Sequence, residues 1–181
     1  DGSNPWPAVR ALVYPWMLGM MKAVTFLQER PQVVVHRDIN PTNLMLCDNM
    51  RSIKLFDFGV SKTCPKHQLE KNQYPQKDDV YCCAIILWEM NCGFSPPGGY
   101  TAHLEADFLT DGRRPDLQHV KWPELRQIIE SAWRGDKDLR LDAPEVLAEL
   151  EHLAVVDPSL LDGVKGGKQS RIKAMGEKAS K

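Results

Sequence analysis

Three oxygen-bearing side chains carry the chemistry open to this sequence. Asp38 and Asn43 stand in the polar run His36-Arg37-Asp38-Ile39-Asn40-Pro41-Thr42-Asn43, and Asp57 opens Asp57-Phe58-Gly59. Between them, Leu44-Met45-Leu46-Cys47 and Ile53-Lys54-Leu55-Phe56 flank Asp48-Asn49-Met50-Arg51-Ser52, a hairpin signal with a five-residue connection. A hairpin returns the chain to where it began, so Asp38, Asn43 and Asp57 can converge on one point. Two carboxylates and an amide are hard ligands suited to Mg²⁺. Gly59, just after Phe58, permits a sharp backbone turn beside them.

The elements that must position this set are mostly helical. Met17, Met20, Met21, Val24 and Leu27 recur at helical spacing between Trp16 and Glu29, and Pro31 closes that helix. Residues 1–15, rich in proline and aromatic groups, read as an irregular or short helical lead-in. Val33-Val34-Val35 is a short β-branched run into the polar loop, and residues 60–78 read as a loop. Val80 to Met90 is apolar nearly all round, which predicts a helix buried inside the domain. Thr101 to Leu109 can form another helix. Glu124 to Arg134 gathers Leu125, Ile128, Ile129, Ala132 and Trp133 on one face. Asp142, with Glu145 three residues on, predicts the capped start of a last helix through Leu153. Asp157-Pro158 ends the packed part, and residues 158–181 read as a basic, disordered tail. The sum is a mainly α domain with one small β-hairpin.

Composition narrows the function classes. The 181 residues fit one domain, with ordinary hydrophobic (43%) and charged (26%) fractions for a soluble globular protein. A formal net charge of -1 argues against a general nucleic-acid binder. No apolar run is long enough to span a bilayer, and no basic-then-apolar leader opens the chain. The opening at Asp1 reads as a fragment or processed product. Five cysteines without C-x-x-C spacing read as reduced thiols, which fits a cytoplasmic location.

Taken together and in order, these residues resemble the protein kinase family. His36-Arg37-Asp38 through Asn43 resembles its catalytic loop, and Asp57-Phe58-Gly59 its metal motif. Asp79-Val80-Tyr81 with Leu87-Trp88-Glu89 resembles the buried central helix of the family's C-terminal lobe, and Trp133 with Arg140 resembles its late helices. The resemblance implies a kinase-like fold, C-terminal lobe only, over residues 16–157. It implies ATP and Mg²⁺ as cofactors, a protein substrate, and phosphoryl transfer to Ser or Thr. By the same resemblance Asp38 is the catalytic base, and Asn43 and Asp57 hold Mg²⁺. His36 braces the loop, Arg37 meets a phosphate on the activation segment, and Phe58 sets the position of Asp57 beside Gly59. Asp79 anchors the loop backbone, and Arg140 pairs with a glutamate, for which Glu70 is the nearest candidate. Pro41-Thr42-Asn43 resembles serine/threonine kinases more than tyrosine kinases, and the runs from Asp57 to Lys62 and from Ile85 to Met90 resemble the tyrosine-kinase-like group of serine/threonine kinases.

The sequence also departs from the family pattern. Asn40 stands where a lysine usually meets the γ-phosphate, and an amide brings no charge, so transfer is expected to be weaker by about tenfold to a thousandfold. The stretch from Asp57 to Asp79 is short, and Ala143-Pro144-Glu145 reads as a helix start and not as the landmark that ends an activation segment. No glycine-rich loop or V-A-I-K lysine precedes the catalytic loop, so the lobe that covers ATP is expected to come from elsewhere. Three readings follow: a kinase fragment active once completed by an N-terminal lobe; a pseudokinase or scaffold lobe without catalysis; and a small-molecule phosphotransferase, against which Arg37, Asp57-Phe58-Gly59 and the match through the late helices argue.

Overall fold

The computed structural model describes residues 6–66, 75–93 and 114–161. Helix α1 spans Trp6–Gln28 and is followed by strand β1, Gln32–Val35. A 3-10 turn, Pro41–Asn43, leads into β2, Leu44–Cys47, and β3, Ser52–Leu55. Strand β4 is Lys62–Pro65 and helix α2 is Gln76–Cys92. Helices α3, Pro123–Ala132, and α4, Ala143–Val156, complete the main elements.

Helix α1 carries Tyr14, Met17, Met20, Met21 and Val24 fully out of solvent, a stripe at three- and four-residue steps. It starts ten residues earlier than the periodicity predicts. Pro15 lies inside it and does not end it. Proline in a helix interior removes a hydrogen bond at a cost of about 3 kcal/mol, and the packing of α1 against α2, α4 and β3 offsets that loss. Tyr14 Oη donates to the Leu150 carbonyl at 2.9 Å, tying α1 to α4, and burial pushes its hydroxyl pKa up to about 12.

Helix α2 is buried on every side from Asp79 to Trp88, as its apolar sequence demands. Cys82 and Cys83 lie within it, and burial pushes both thiols far up. The helix stops at Gly93, whose φ of 76° is left-handed and whose N–H meets the Glu89 carbonyl at 2.9 Å. Helix α4 opens with the reciprocal cap read from its sequence: Asp142 Oδ1 accepts from Glu145 N at 3.0 Å, and Glu145 Oε2 accepts from Asp142 N at 2.8 Å. The packed part runs past Asp157, because a 3-10 turn, Pro158–Leu161, buries Leu160 in the core.

The β2–β3 hairpin pairs Leu44 with Leu55 and Cys47 with Ser52. Its connection is therefore residues 48–51, one residue shorter than predicted, since Ser52 joins the ladder. Asp48, Asn49 and Met50 turn the chain with φ of 53°, 55° and 62°. Trp16 Nε1 donates to the Met50 carbonyl at 2.6 Å, so α1 holds the hairpin tip. Gly19 lets the two elements touch: a Cβ there would lie 2.8 Å from Ile53 Cγ2.

A second two-stranded sheet pairs β1 with β4, Gln32 opposite Pro65 and Val35 opposite Lys62. Residues 62–65 are thus strand where the sequence reads as loop. The helix expected over 101–109, Glu70, and the tail beyond residue 161 lie outside the described residues.

Candidate active site

Strand β1 delivers the site. Its last residue, Val35, is followed by His36, Arg37 and Asp38. Arg37 takes a left-handed φ of 70°. Asp79, in the first turn of α2, then accepts from His36 N at 2.7 Å and from Arg37 N at 2.8 Å. Successive backbone N–H groups gathered on one anion form an anion nest, and here the anion is a side chain of the buried helix. Burial pushes the Asp79 carboxyl up to about 6, against the pull of the two backbone donors.

His36 is fully buried. Its Nδ1 accepts from Asp38 N at 3.4 Å, which assigns the proton to Nε2, and Nε2–H then donates to the Phe56 carbonyl at 3.1 Å. The Phe58 ring stands edge-on to the imidazole with centroids 4.8 Å apart. One side chain thus joins the loop that carries Asp38 to the segment that carries Asp57.

Two amides hold the Asp38 carboxylate. Asn43 Nδ2 donates to Oδ2 at 2.8 Å and to the Asp38 carbonyl at 2.8 Å. Asn40 Nδ2 donates to Oδ1 at 2.9 Å. Asn40 also caps the 3-10 turn: its Oδ1 accepts from Thr42 N at 2.9 Å and from Asn43 N at 3.3 Å, and the Thr42 hydroxyl donates to it as well.

Asp57 is brought to the same place by the hairpin. Phe56 N donates to the Asn43 carbonyl at 3.1 Å, one step beyond the Leu44–Leu55 pair, so the ladder ends with Asn43 and Phe56 side by side. Asp57 follows with a left-handed φ of 63°, and its Oδ1 accepts from Gly59 N at 3.1 Å. A Cβ on Gly59 would lie 3.1 Å from that oxygen, tight for any larger residue. Arg37 Nη1 donates to the Val60 carbonyl at 3.3 Å, and Ser61 Oγ to the His36 carbonyl at 3.2 Å.

The donor set suits a hard cation. Both Asn43 amide protons point at Asp38, which leaves Asn43 Oδ1 as an oxygen acceptor, and Asp57 adds a carboxylate. Among the described residues no cluster of three or more His, Cys, Asp or Glu could hold a metal alone.

Arg140 lies away from this centre and is 2% exposed. Its Nε donates to the Arg134 carbonyl at 2.8 Å, and its Nη1 to the Lys77 carbonyl at 2.7 Å and to Asp78 Oδ1 at 3.4 Å. Lys137 Nζ joins Asp78 Oδ2 at 2.7 Å. Sequence reasoning missed Lys77 and Asp78 at the start of α2 and Lys137 in the turn before α4, because isolated charged residues there carry no distinctive pattern. It also missed Thr42 and the capping role of Asn40, for which Asn-Pro at a turn start was an available signal.

Comparison with known proteins agrees with this arrangement. The family profile described as protein kinase domain matches residues 10–150. The serine/threonine-protein kinase VIK of Arabidopsis thaliana is 28% identical over 87% of this chain and 40% of its own length. The dual specificity protein kinase shkC of Dictyostelium discoideum is 28% identical over 77% of this chain and 31% of its own. The serine/threonine/tyrosine-protein kinase HT1 of Arabidopsis thaliana is 30% identical over 66% of this chain and 35% of its own. The chain therefore spans between 31% and 40% of these three relatives. Family profile, relatives and site residues converge on one conclusion: the chain belongs to the protein kinase family.

Proposed function

We propose that this chain is the C-terminal lobe of a protein kinase, carrying the base and the metal ligands for ATP-dependent phosphoryl transfer to serine or threonine hydroxyls of a protein. One observation carries the reading. Asn43 joins the parts, since its side chain holds Asp38 while its carbonyl receives Phe56 N, the residue before Asp57. Asp38 accepts the proton of the attacking hydroxyl. Asn43 and Asp57 would hold Mg²⁺, which would neutralise charge on the phosphates. Asp79 and His36 fix the backbone of the loop, and Arg37 faces the segment after Gly59 through its bond to the Val60 carbonyl. The lobe extends from α1 through the turn at Pro158–Leu161.

Met45, Phe56, Phe58 and Val60 are 53%, 39%, 46% and 55% exposed around the site. Exposed apolar side chains of this kind suit a second lobe that brings the nucleotide-covering groups. No described helix is long and apolar enough to cross a membrane, and a cytoplasmic location fits the free cysteines.

A thermal-shift titration with Mg²⁺-ATP tests the reading. Ligand at a hundredfold its dissociation constant raises stability by about 2.7 kcal/mol, and the rise should vanish in Asp57→Ala. A phosphoryl-transfer assay on the chain joined to an N-terminal lobe, with Asp38→Ala as control, then separates catalysis from binding. The second reading, a scaffold lobe without catalysis, draws on Asn40, whose amide is already engaged within the loop. Binding without transfer would select it.

A further inference from the structure

Asn40 occupies the position where the sequence pattern leads one to expect a cation for phosphate. Its amide, however, is already saturated. An asparagine side chain offers two N–H donors and one oxygen with two lone pairs. Nδ2 faces Asp38, at 2.9 Å from Oδ1 and 3.3 Å from the carbonyl oxygen. Oδ1 takes Thr42 N, Asn43 N and the Thr42 hydroxyl. The orientation is over-determined. A flipped amide would set its NH₂ against two backbone N–H donors and its oxygen against a carboxylate.

The backbone agrees with this use. Asn40 is extended, with φ of -150° and ψ of 165°, as a residue before proline must be, and Pro41 then opens the turn. Asp38 is thereby gripped at both oxygens, Oδ1 by Asn40 and Oδ2 by Asn43, and both donors are neutral.

We propose that Asn40 is a positioning residue: one amide aims the Asp38 carboxylate and, through its oxygen, caps the turn that presents Asn43, so it is committed to the loop and not to phosphate. The inference rests on the reading of Asp38 as the base. It adds that the loop of this chain replaces a mobile cation with a fixed neutral clamp.

Two variants separate the two ends of the amide. Asn40→Ser keeps a good capping oxygen and replaces the amide NH₂ that reaches Asp38 with a single, shorter hydroxyl. Asn40→Ala loses both. The melting temperature of Asn40→Ala should fall by about 2–4 °C, the shift for one lost cap in a chain of this size, whereas Asn40→Ser should melt near the parent chain. In phosphoryl-transfer assays on the chain joined to an N-terminal lobe, kcat should fall by about tenfold to a hundredfold in both variants, with KM for ATP unchanged, because a misaimed base loses rate and not affinity. A raised KM with kcat intact would assign Asn40 to phosphate contact and overturn the proposal, as would an Asn40→Ser chain with full kcat.

A measurement independent of turnover decides the geometry. The Asn40 side-chain amide protons, followed by NMR hydrogen exchange, should exchange more slowly than those of a solvated asparagine, and the protection should fall in Asp38→Ala, which removes the carboxylate acceptor and keeps the carbonyl. Exchange at the solvated rate in the parent chain refutes the clamp. If the chain joined to an N-terminal lobe transfers no phosphoryl group, the kinase reading fails by itself, and the exchange measurement still decides the role of Asn40.

Discussion

Replacing Asp79 by asparagine tests which of two opposed effects governs the loop anchor. Burial raises the Asp79 pKa from 3.8 to about 6, while two backbone N–H bonds at 2.7 and 2.8 Å favour the charged form. A rise of about two units corresponds to about 3 kcal/mol. The folded pKa exceeds the unfolded value, so the stability contributed by this group is fully present below about pH 3.8 and lost as pH rises through about 6. The asparagine of the variant has the same shape and does not titrate. It keeps one acceptor but turns an NH₂ toward the other backbone donor, a defect of about 1–3 kcal/mol that is independent of pH. Urea unfolding of both chains at several pH values between about 4 and 7.5 isolates the titrating part. The parent's stability minus that of Asp79→Asn should fall by about 3 kcal/mol across this range. A difference that stays constant, or that grows with pH, would mean that the backbone donors outweigh burial and would refute the reasoning.

Two further substitutions probe the frame around the site. Gly19→Ala places a methyl 2.8 Å from Ile53 Cγ2, and the overpacking of about 1–3 kcal/mol should outweigh the ~1 kcal/mol gained in helix propensity; a more stable variant in urea unfolding would contradict the described contact of α1 with the hairpin. Arg140→Lys removes a planar fork that meets the Arg134 and Lys77 carbonyls, so it should cost about 2 kcal/mol or more, while Lys137→Ala, at a half-exposed ion pair, should stay within ~1 kcal/mol. Equal losses in the two would remove the distinction between buried and surface pairs.

What the sequence disclosed followed from how local each signal is. Asp38, Asn43 and Asp57 could be grouped because a hairpin of adjacent strands brings them together, and that inference needs only neighbouring residues. The α4 cap was legible for the same reason, since Asp142 and Glu145 are three residues apart. Strand β4 was not. Lys62-Thr63-Cys64-Pro65 has neither alternation nor an apolar run, and it becomes a strand only by pairing with β1, some thirty residues earlier in the chain. Pro15 misled in the opposite direction. Proline is a strong local breaker, but packing along α1 overrides it. The anchoring of the loop by Asp79 is a contact over more than forty residues, and only the resemblance to a family suggested it.

The adjacent thiols of α2 have a use that their chemistry alone does not advertise. Cys82 and Cys83 are 7% and 0% exposed, while Cys47 and Cys64 sit at the partly open hairpin and β4. A thiol-specific label can reach the first pair only when α2 leaves the core, so their labelling rate counts complete openings of the domain. The second pair reacts from local excursions and supplies the baseline. The same chain, without any engineered probe, therefore carries two clocks, one for breathing at its catalytic face and one for loss of its central helix.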